Sequence, residues 1–202
     1  MVRILCADIA SAEEWMYQRL YDQASPERKC RADRYRRQED RLRCVTADAL
    51  VRLALGTEEY QIIKKGSGKP YIQGREDFFY NLSHSGRYVV IAWSNREVGV
   101  DVQKHDSGVN VQAVARRYFT EEEQDCVQEN ARKFYEIWTK KESYIKYTGQ
   151  GLMQGLNSVH VLAPELPLRY YTRFLEGGYS LSVCTTEAGY TLKIIDIRNL
   201  LV

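Results

Sequence analysis

Two segments hold carboxylates in settings that could serve an ion or a reacting phosphate. In Val98-Gly99-Val100-Asp101-Val102-Gln103 a strand period puts the three valines on one face and Gly99, Asp101 and Gln103 on the other. A carboxylate beside a glycine leaves room for a ligand or ion; an exposed strand face with a solvated aspartate would look the same. In Trp138-Thr139-Lys140-Lys141-Glu142-Ser143-Tyr144-Ile145-Lys146, Glu142 and Lys146 are neighbours at i,i+4. Glu142 adjoins Trp138 and Ile145, both expected to face the core, so it stands at the edge of a buried stripe where a metal ligand can be held rigidly. The plainer alternative is a surface ion pair worth about 0.3–0.5 kcal/mol.

Three further segments could handle an anion. In Asn81-Leu82-Ser83-His84-Ser85-Gly86, His84 follows an apolar strand and enters a polar turn, where its protonated imidazole could bind phosphate. The same residues also simply favour turns. His105 and His160 stand at no zinc-ligand spacing from it. Between Arg28 and Arg43 lie Arg28, Lys29, Arg31, Arg34, Arg36, Arg37, Arg41 and Arg43, against Asp33, Glu39 and Asp40. Helical spacing spreads these charges over several faces, one of which could grip phosphates through bidentate arginine contacts. A solvated helix and a nucleic-acid surface are the alternatives. Gly68-Lys69-Pro70 is no P-loop, because Pro70 stands where Ser or Thr is required. Lys69 after a glycine turn could still meet an anion.

The elements that must position these residues follow from periodicity and capping signals. Val2–Ile9 reads as a strand and Ala12–Leu20 as a helix, with Trp15 and Leu20 as core candidates. Ser25-Pro26 reads as N-cap and first helical position of a helix running towards Leu55 with room for a break. Leu42, Val45, Ala49 and Leu53 recur at helical spacing and should face the core, and Gly56 is a stop. Residues 66–70 read as a turn or loop. Phe78–Leu82, Tyr88–Trp93 and Val98–Val102 read as strands with short links, which suggests an antiparallel meander.

A helix over Val111–Tyr118, a capping box at Thr120/Glu123 and a helix over Ala131–Tyr147 ending at Gly149-Gln150-Gly151 follow. Strands are expected at Ser158–Leu162, Arg169–Phe174, Tyr179–Cys184 and Tyr190–Ile197. Gly86–Ile91 faintly echoes Gly178–Val183, so two similar α+β halves are expected, divided as 1–103 and 104–202.

Composition narrows the class. The chain has 202 residues and a net charge of +2, so it is no polycation and any basic function must come from a local patch. Cys6, Cys30, Cys44, Cys126 and Cys184 are scattered and never spaced as C-x-x-C, which argues against a disulfide framework and fits a reducing compartment. No apolar stretch approaches ~18 residues, and the N-terminus has no signal-peptide pattern.

Taken in order, G-K-P (68–70), N-L-S-H-S (81–85), V-G-V-D (98–101), W-T-K-K-E-S-Y-I-K (138–146) and G-Q-G-L (149–152) resemble the Sfp-like 4′-phosphopantetheinyl transferases. The S-P-E-R-K-C-R segment (25–31) and the Glu39-Asp40 pair agree. The resemblance covers roughly residues 25–160.

It implies an α+β fold of two similar halves, a pseudo-dimer with the active site in the cleft between them. The implied activity is transfer of the phosphopantetheine arm of coenzyme A to a serine of an apo acyl or peptidyl carrier protein. It further implies a monomer, while the cysteines, the small net charge and the lack of a long apolar stretch lead us to expect a cytoplasmic protein with no nucleic-acid or membrane partner. By the same resemblance Asp101 and Glu142 are ligands of Mg²⁺, with Glu142 also a candidate general base. Arg28, Arg31, Arg43, Lys69, Ser83 and His84 hold coenzyme A, and Lys146 lies near its pyrophosphate. Gln103 stands where many members carry a second acidic ligand; its amide oxygen can serve, or a water can take the place.

Overall fold

Strand β1 (Val2–Asp8) lies inside a four-stranded sheet, and the chain up to residue 96 is arranged around it. The computed structural model describes residues 1–66, 68–128, 130–150, 155–164 and 167–201. Helices α1 (Glu14–Gln23), α2 (Pro26–Asp33) and α3 (Gln38–Leu55) follow β1. Ser25 caps α2, its Oγ accepting from the Arg28 N–H at 3.3 Å, with Pro26 in the first position. The helix expected over 26–55 breaks at residues 34–37, where Arg41 donates to the Tyr35 carbonyl at 2.9 Å. Gly56, at φ 68°, ends α3.

Two core expectations here are corrected. Trp15 is 52% exposed: the buried face of α1 carries Met16, Tyr17 and Leu20, and Trp15 lies off that face with its indole donating to Glu13 at 3.2 Å. Leu53 is 54% exposed, because the buried stretch of α3 runs from Cys44 to Arg52 and its last turn emerges beyond it. Val45 and Ala49 are buried as expected, and Leu42 is half-buried.

A short hairpin of β2 (Ile62–Lys65) and β3 (Lys69–Ile72) comes next, so Lys69 and Pro70, expected in a loop, start a strand. Strands β4 (Phe79–Ser85) and β5 (Tyr88–Ser94) form a second hairpin, and β5 pairs antiparallel with β1. Strand β6 (Val98–Lys104) does not extend this hairpin into a meander. It begins a second sheet with β7 (Arg169–Leu175) and β8 (Tyr179–Thr185), in the order β6-β8-β7. Helices α4 (Val111–Tyr118), α5 (Glu121–Val127) and α6 (Ala131–Thr148) lie between β6 and β7. Thr120 and Glu123 make the expected capping box at α5. The strand expected at Ser158–Leu162 is absent; Leu156–Ser158 is a 3₁₀ turn whose carbonyl at Leu156 accepts from the Lys141 ammonium at 2.9 Å.

The two halves share one topology. In each, a strand is followed by helices and then a hairpin whose second strand pairs antiparallel with the first strand: β1, α1–α3, β4-β5, and β6, α4–α6, β7-β8. The faint echo of Gly86–Ile91 in Gly178–Val183 marks equivalent hairpins. Their turns meet, with the Arg87 N–H on the Tyr179 hydroxyl at 3.1 Å and the Tyr88 and Tyr179 rings edge to face at 4.9 Å. Strand β9 (Tyr190–Asp196) returns to the first sheet, parallel to β1. Asp101 lies on β6, in the second sheet.

The sheets stack through Val2, Ile4, Cys6, Val90 and Ala92 of one and Val98, Val100, Val102, Leu181 and Val183 of the other. Helices α1–α3 cover the outer face of the first sheet, and α6 packs on the second.

Candidate active site

The N-L-S-H-S segment is a strand, not a turn, and its alternation builds the site. Edge strands β4 and β6 face each other without a backbone ladder. Side chains on one face of β4 take its place: Asn81 Oδ1 accepts from the Val100 N–H at 3.0 Å, Ser83 Oγ from Val102 at 3.2 Å and Ser85 Oγ from Lys104 at 3.0 Å. Period-two spacing makes this zipper possible. It fixes Asp101 at the junction of the halves.

Gly99 brings α6 onto the same spot. A Cβ at this position would lie 2.0 Å from the Ser143 carbonyl oxygen and 2.4 Å from the Tyr147 nitrogen, so only glycine lets the helix lie on the strand. Ser143 and Tyr147 follow Glu142 and Lys146, which are thereby delivered beside Asp101. Lys146 does not pair with Glu142. Its ammonium sits 2.7 Å from Asp101 Oδ1 and 3.0 Å from Ser83 Oγ, and the Ser83 hydroxyl donates to the same Asp101 oxygen at 2.8 Å. Glu142 makes no hydrogen bond or ion pair among the described residues. Burial, then the nearby charge of Asp101, raises its pKa, against a smaller opposing pull from Lys146.

Beyond Lys146 a cavity of about 390 Å³ opens between α2, the β2-β3 hairpin and β4. Arg28, Arg31, Lys64, His84 and Lys146 reach its wall, with Glu27 the one acidic residue there. Arg43 lies beside it, held by the Gly86 carbonyl at 2.9 Å and Asp40 at 2.6 Å. The surrounding protein, followed by Arg43 and Lys146, depresses the pKa of His84, so its ring is poised to gain a proton when an anion arrives.

Two expected residues lie elsewhere. Lys69 does not line the cavity, whose wall is formed by its neighbours Gly68 and Pro70. Its buried ammonium pairs with Glu97 and donates to the carbonyls of Val98 at 3.2 Å and Tyr147 at 3.0 Å, clamping the hairpin to β6 and α6. Gln103 turns its amide to the Lys104 carbonyl at 3.2 Å. Gly151 lies outside the described residues; Gly149, at φ 71°, ends α6.

Sequence reasoning missed Lys64, whose strand is too short to show a period. It also missed the zipper roles of Asn81 and Ser85, although N-x-S-x-S was there to be read at strand spacing. The basic run disperses: Arg28 turns inward, Arg41 and Arg43 bind carbonyls, and Arg34, Arg36 and Arg37 are exposed.

Comparison with known proteins agrees with this geometry. Residues 10–96 match the family model described as 4′-phosphopantetheinyl transferase, N-terminal, and residues 97–195 that of the 4′-phosphopantetheinyl transferase superfamily. The boundary coincides with the start of the second sheet. The chain is 30% identical over 200 residues to 4′-phosphopantetheinyl transferase psf-1 of Bacillus pumilus, covering 87% of this chain and 85% of that one.

The chain belongs to the 4′-phosphopantetheinyl transferase family.

Other similar members are 4′-phosphopantetheinyl transferase Sfp of Bacillus subtilis (strain 168), 30% identical over 190 residues with 82% and 84% of the two chains covered, and gsp of Aneurinibacillus migulanus, 29% identical over 195 residues with 83% and 81% covered. The fold expected of this transferase family, two similar α+β halves, is the fold observed. No helix among the described residues is long and apolar enough to cross a membrane.

Proposed function

We propose that this chain transfers the 4′-phosphopantetheine arm of coenzyme A to a serine of an apo carrier protein, with Mg²⁺, as a cytoplasmic monomer. The observation that carries the reading is the Lys146–Asp101–Ser83 cluster, with Glu142 beside it, at the mouth of a cationic cavity. Family membership supplies the substrates.

Arg28, Arg31, Lys64 and His84 grip the phosphates of coenzyme A and seat its nucleotide end in the cavity, with Arg43 adding positive potential behind His84. That leaves the pyrophosphate beside Lys146. The carrier serine oxygen bonds to the β-phosphorus, and the bridging oxygen departs with 3′,5′-ADP. Glu142, beside the cluster, takes the serine proton. Lys146 donates to the departing phosphate oxygen and stabilises its growing charge.

The donor set fits a magnesium ion. Asp101 stands close enough to Glu142 to disfavour the charge of the Glu142 carboxylate, and Lys146 is paired with Asp101. No cluster of three His, Cys, Asp or Glu occurs among the described residues, and Mg²⁺ needs only one or two carboxylates plus waters and substrate oxygens. Bound there, it would neutralise the pyrophosphate and polarise phosphorus. Gln103 lies on the same strand face and would contribute through a water or its amide.

Intact-mass analysis of apo acyl and peptidyl carriers incubated with the protein, coenzyme A and Mg²⁺ tests the reading. One phosphopantetheine arm should be added, lost with EDTA and lost in Asp101→Ala and Glu142→Ala. Wild-type rates in both variants would sink the assignment of these residues, and no gain on any carrier would sink the activity.

A further inference from the structure

The largest charge network among the described residues lies behind the cavity, not in it. Asp48, on α3, is completely buried. Three groups converge on its Oδ1: the Tyr60 hydroxyl at 2.6 Å, the Ser25 hydroxyl at 3.2 Å and the Arg28 Nε at 3.5 Å. Its other oxygen lies 3.3 Å from Arg52 Nε, and Arg52 pairs in turn with Glu58. Ser25 and Arg28 both line the cavity, and Ser25 also caps α2, from whose first turns Arg28 and Arg31 project.

Fold stability does not call for this arrangement. A buried carboxylate must recover a large desolvation cost from its partners, and an apolar side chain of similar volume often serves as well or better. What an apolar residue cannot do is hold a guanidinium. An arginine free in solution samples many rotamers and loses that freedom when it grips a ligand. Asp48 faces the Nε edge of Arg28 as an ion pair at 3.5 Å, which biases the side chain towards one orientation before any ligand arrives.

We infer that Asp48 is a positioning residue for phosphate binding: it holds Arg28 and the first turn of α2 in the geometry that grips the nucleotide end of coenzyme A. The inference rests on the proposed coenzyme A reading of the cavity, and Asp48 itself touches no substrate.

A double-mutant cycle read by calorimetric binding of adenosine 3′,5′-bisphosphate tests it, because this product carries the phosphates without the pantetheine arm. Asp48→Asn should weaken binding about tenfold in the otherwise wild-type protein and have little further effect in Arg28→Ala. A purely structural role predicts the same loss on both backgrounds, and that result would overturn the inference. So would unchanged affinity in Asp48→Asn.

Should Asp48→Asn fail to fold, Tyr60→Phe decides. It leaves every charge in place and removes the hydrogen bond that orients the Asp48 carboxylate towards Arg28, so binding should weaken about threefold on the wild-type background and not on Arg28→Ala. Absence of that coupling overturns the proposal. Wild-type protein that binds neither coenzyme A nor the bisphosphate would instead remove the reading beneath it. Binding lost in Arg28→Ala but intact in both Asp48→Asn and Tyr60→Phe would remove only the role of Asp48.

Discussion

Helices α3 and α6 hold equivalent places in the two halves. Each has 18 residues, each ends at a left-handed glycine and each lies on its own sheet, yet they bury opposite charges for different ends. On α3 the buried Asp48 reaches towards Arg28 and the cavity. On α6 the buried Lys141 reaches away from the site, to Glu123 at 2.7 Å and to the carbonyls of Leu156 and Val159. The space beside α3 is propped open by the β2-β3 hairpin, while the space beside α6 is filled by Phe119, Phe134 and Trp138, with ring centroids 5.2 Å and 5.9 Å apart. One copy of the fold therefore became a receptacle. The other became a rigid block that presents Glu142 and Lys146 to it. The two halves share a frame, and they differ in what each helix packs against.

The most severe way to break that division is to push α6 off its strand. Gly99→Val would drive a side chain into the Ser143 carbonyl. Overpacking of this kind costs about 1–3 kcal/mol, and displacing Glu142 and Lys146 by even about 1 Å should cut turnover about a hundredfold. Carrier modification by mass and urea unfolding would show both. Calorimetric coenzyme A affinity should change far less, because most of the grip belongs to the first half. Equal losses in binding and turnover would contradict the separation of roles.

Lys141→Met attacks the same block from behind. It removes the cation paired with buried Glu123 and leaves that carboxylate to the Thr120 and Val161 N–H groups, a change that costs up to about 3–5 kcal/mol. Arg31→Met, in the exposed part of the receptacle, should stay within about 0.5 kcal/mol in the same unfolding experiment while raising the KM for coenzyme A. Similar unfolding midpoints for the two variants would show that the Lys141–Glu123 pair is not the anchor of α6.

A milder perturbation is protonic. The depressed pKa of His84 means its neutral form prevails in the ligand-free fold. A bound phosphate favours the cation, so binding takes up a proton. Affinity for coenzyme A should rise as pH falls through the bound-state pKa and level off below the depressed ligand-free value. The ligand-free protein should lose stability over that acid range, because the unfolded histidine, with its ordinary pKa of about 6.5, takes up its proton first. Titrating affinity between about pH 5.5 and 8 in wild type and His84→Gln checks the sign; a slope that survives in the variant belongs to another group.

Most of the frame could be read from the sequence, and the reasons are local. Ser25-Pro26, Thr120–Glu123, Gly56 and Gly149 act within a turn of their own position, so their roles follow from residue type. The faces that Asp101, Glu142 and Lys146 occupy followed from a strand period and a helix period, whereas His84 was read into a turn and lies on β4. What escaped reading depends on contacts distant in sequence. Lys69 looks like an anion ligand after its glycine turn, but Glu97 and the carbonyl of Tyr147, 78 residues away, capture it. Trp15 was misplaced because Met16, Tyr17 and Leu20, not Trp15, form the face of α1 that packs inward. The meander failed because β6 is claimed by β8, more than 70 residues downstream, and meets β4 only through side chains.

That side-chain seam offers the finest test of how the halves are joined. Asn81, Ser83 and Ser85 each supply one acceptor to β6, but in different surroundings. The Asn81 bond is buried, next to Gly99 and the landing of α6, whereas the Ser85 bond is exposed. Leaving the Val100 N–H without a partner should cost about 1–3 kcal/mol in Asn81→Ala, while Ser85→Ala lets water replace the hydroxyl and should cost no more than about 0.5–1.5 kcal/mol. The functional consequences should diverge in the same order. Asn81→Ala loosens the strand that carries Asp101 and should lower kcat several-fold. Ser85→Ala lies beyond Asp101 and should leave kcat near wild type. If Ser85→Ala were the more damaging of the two, the halves would be registered from the outer end of the seam, and the position of Asp101 would depend on the β6–α4 link rather than on Gly99 and the helix above it.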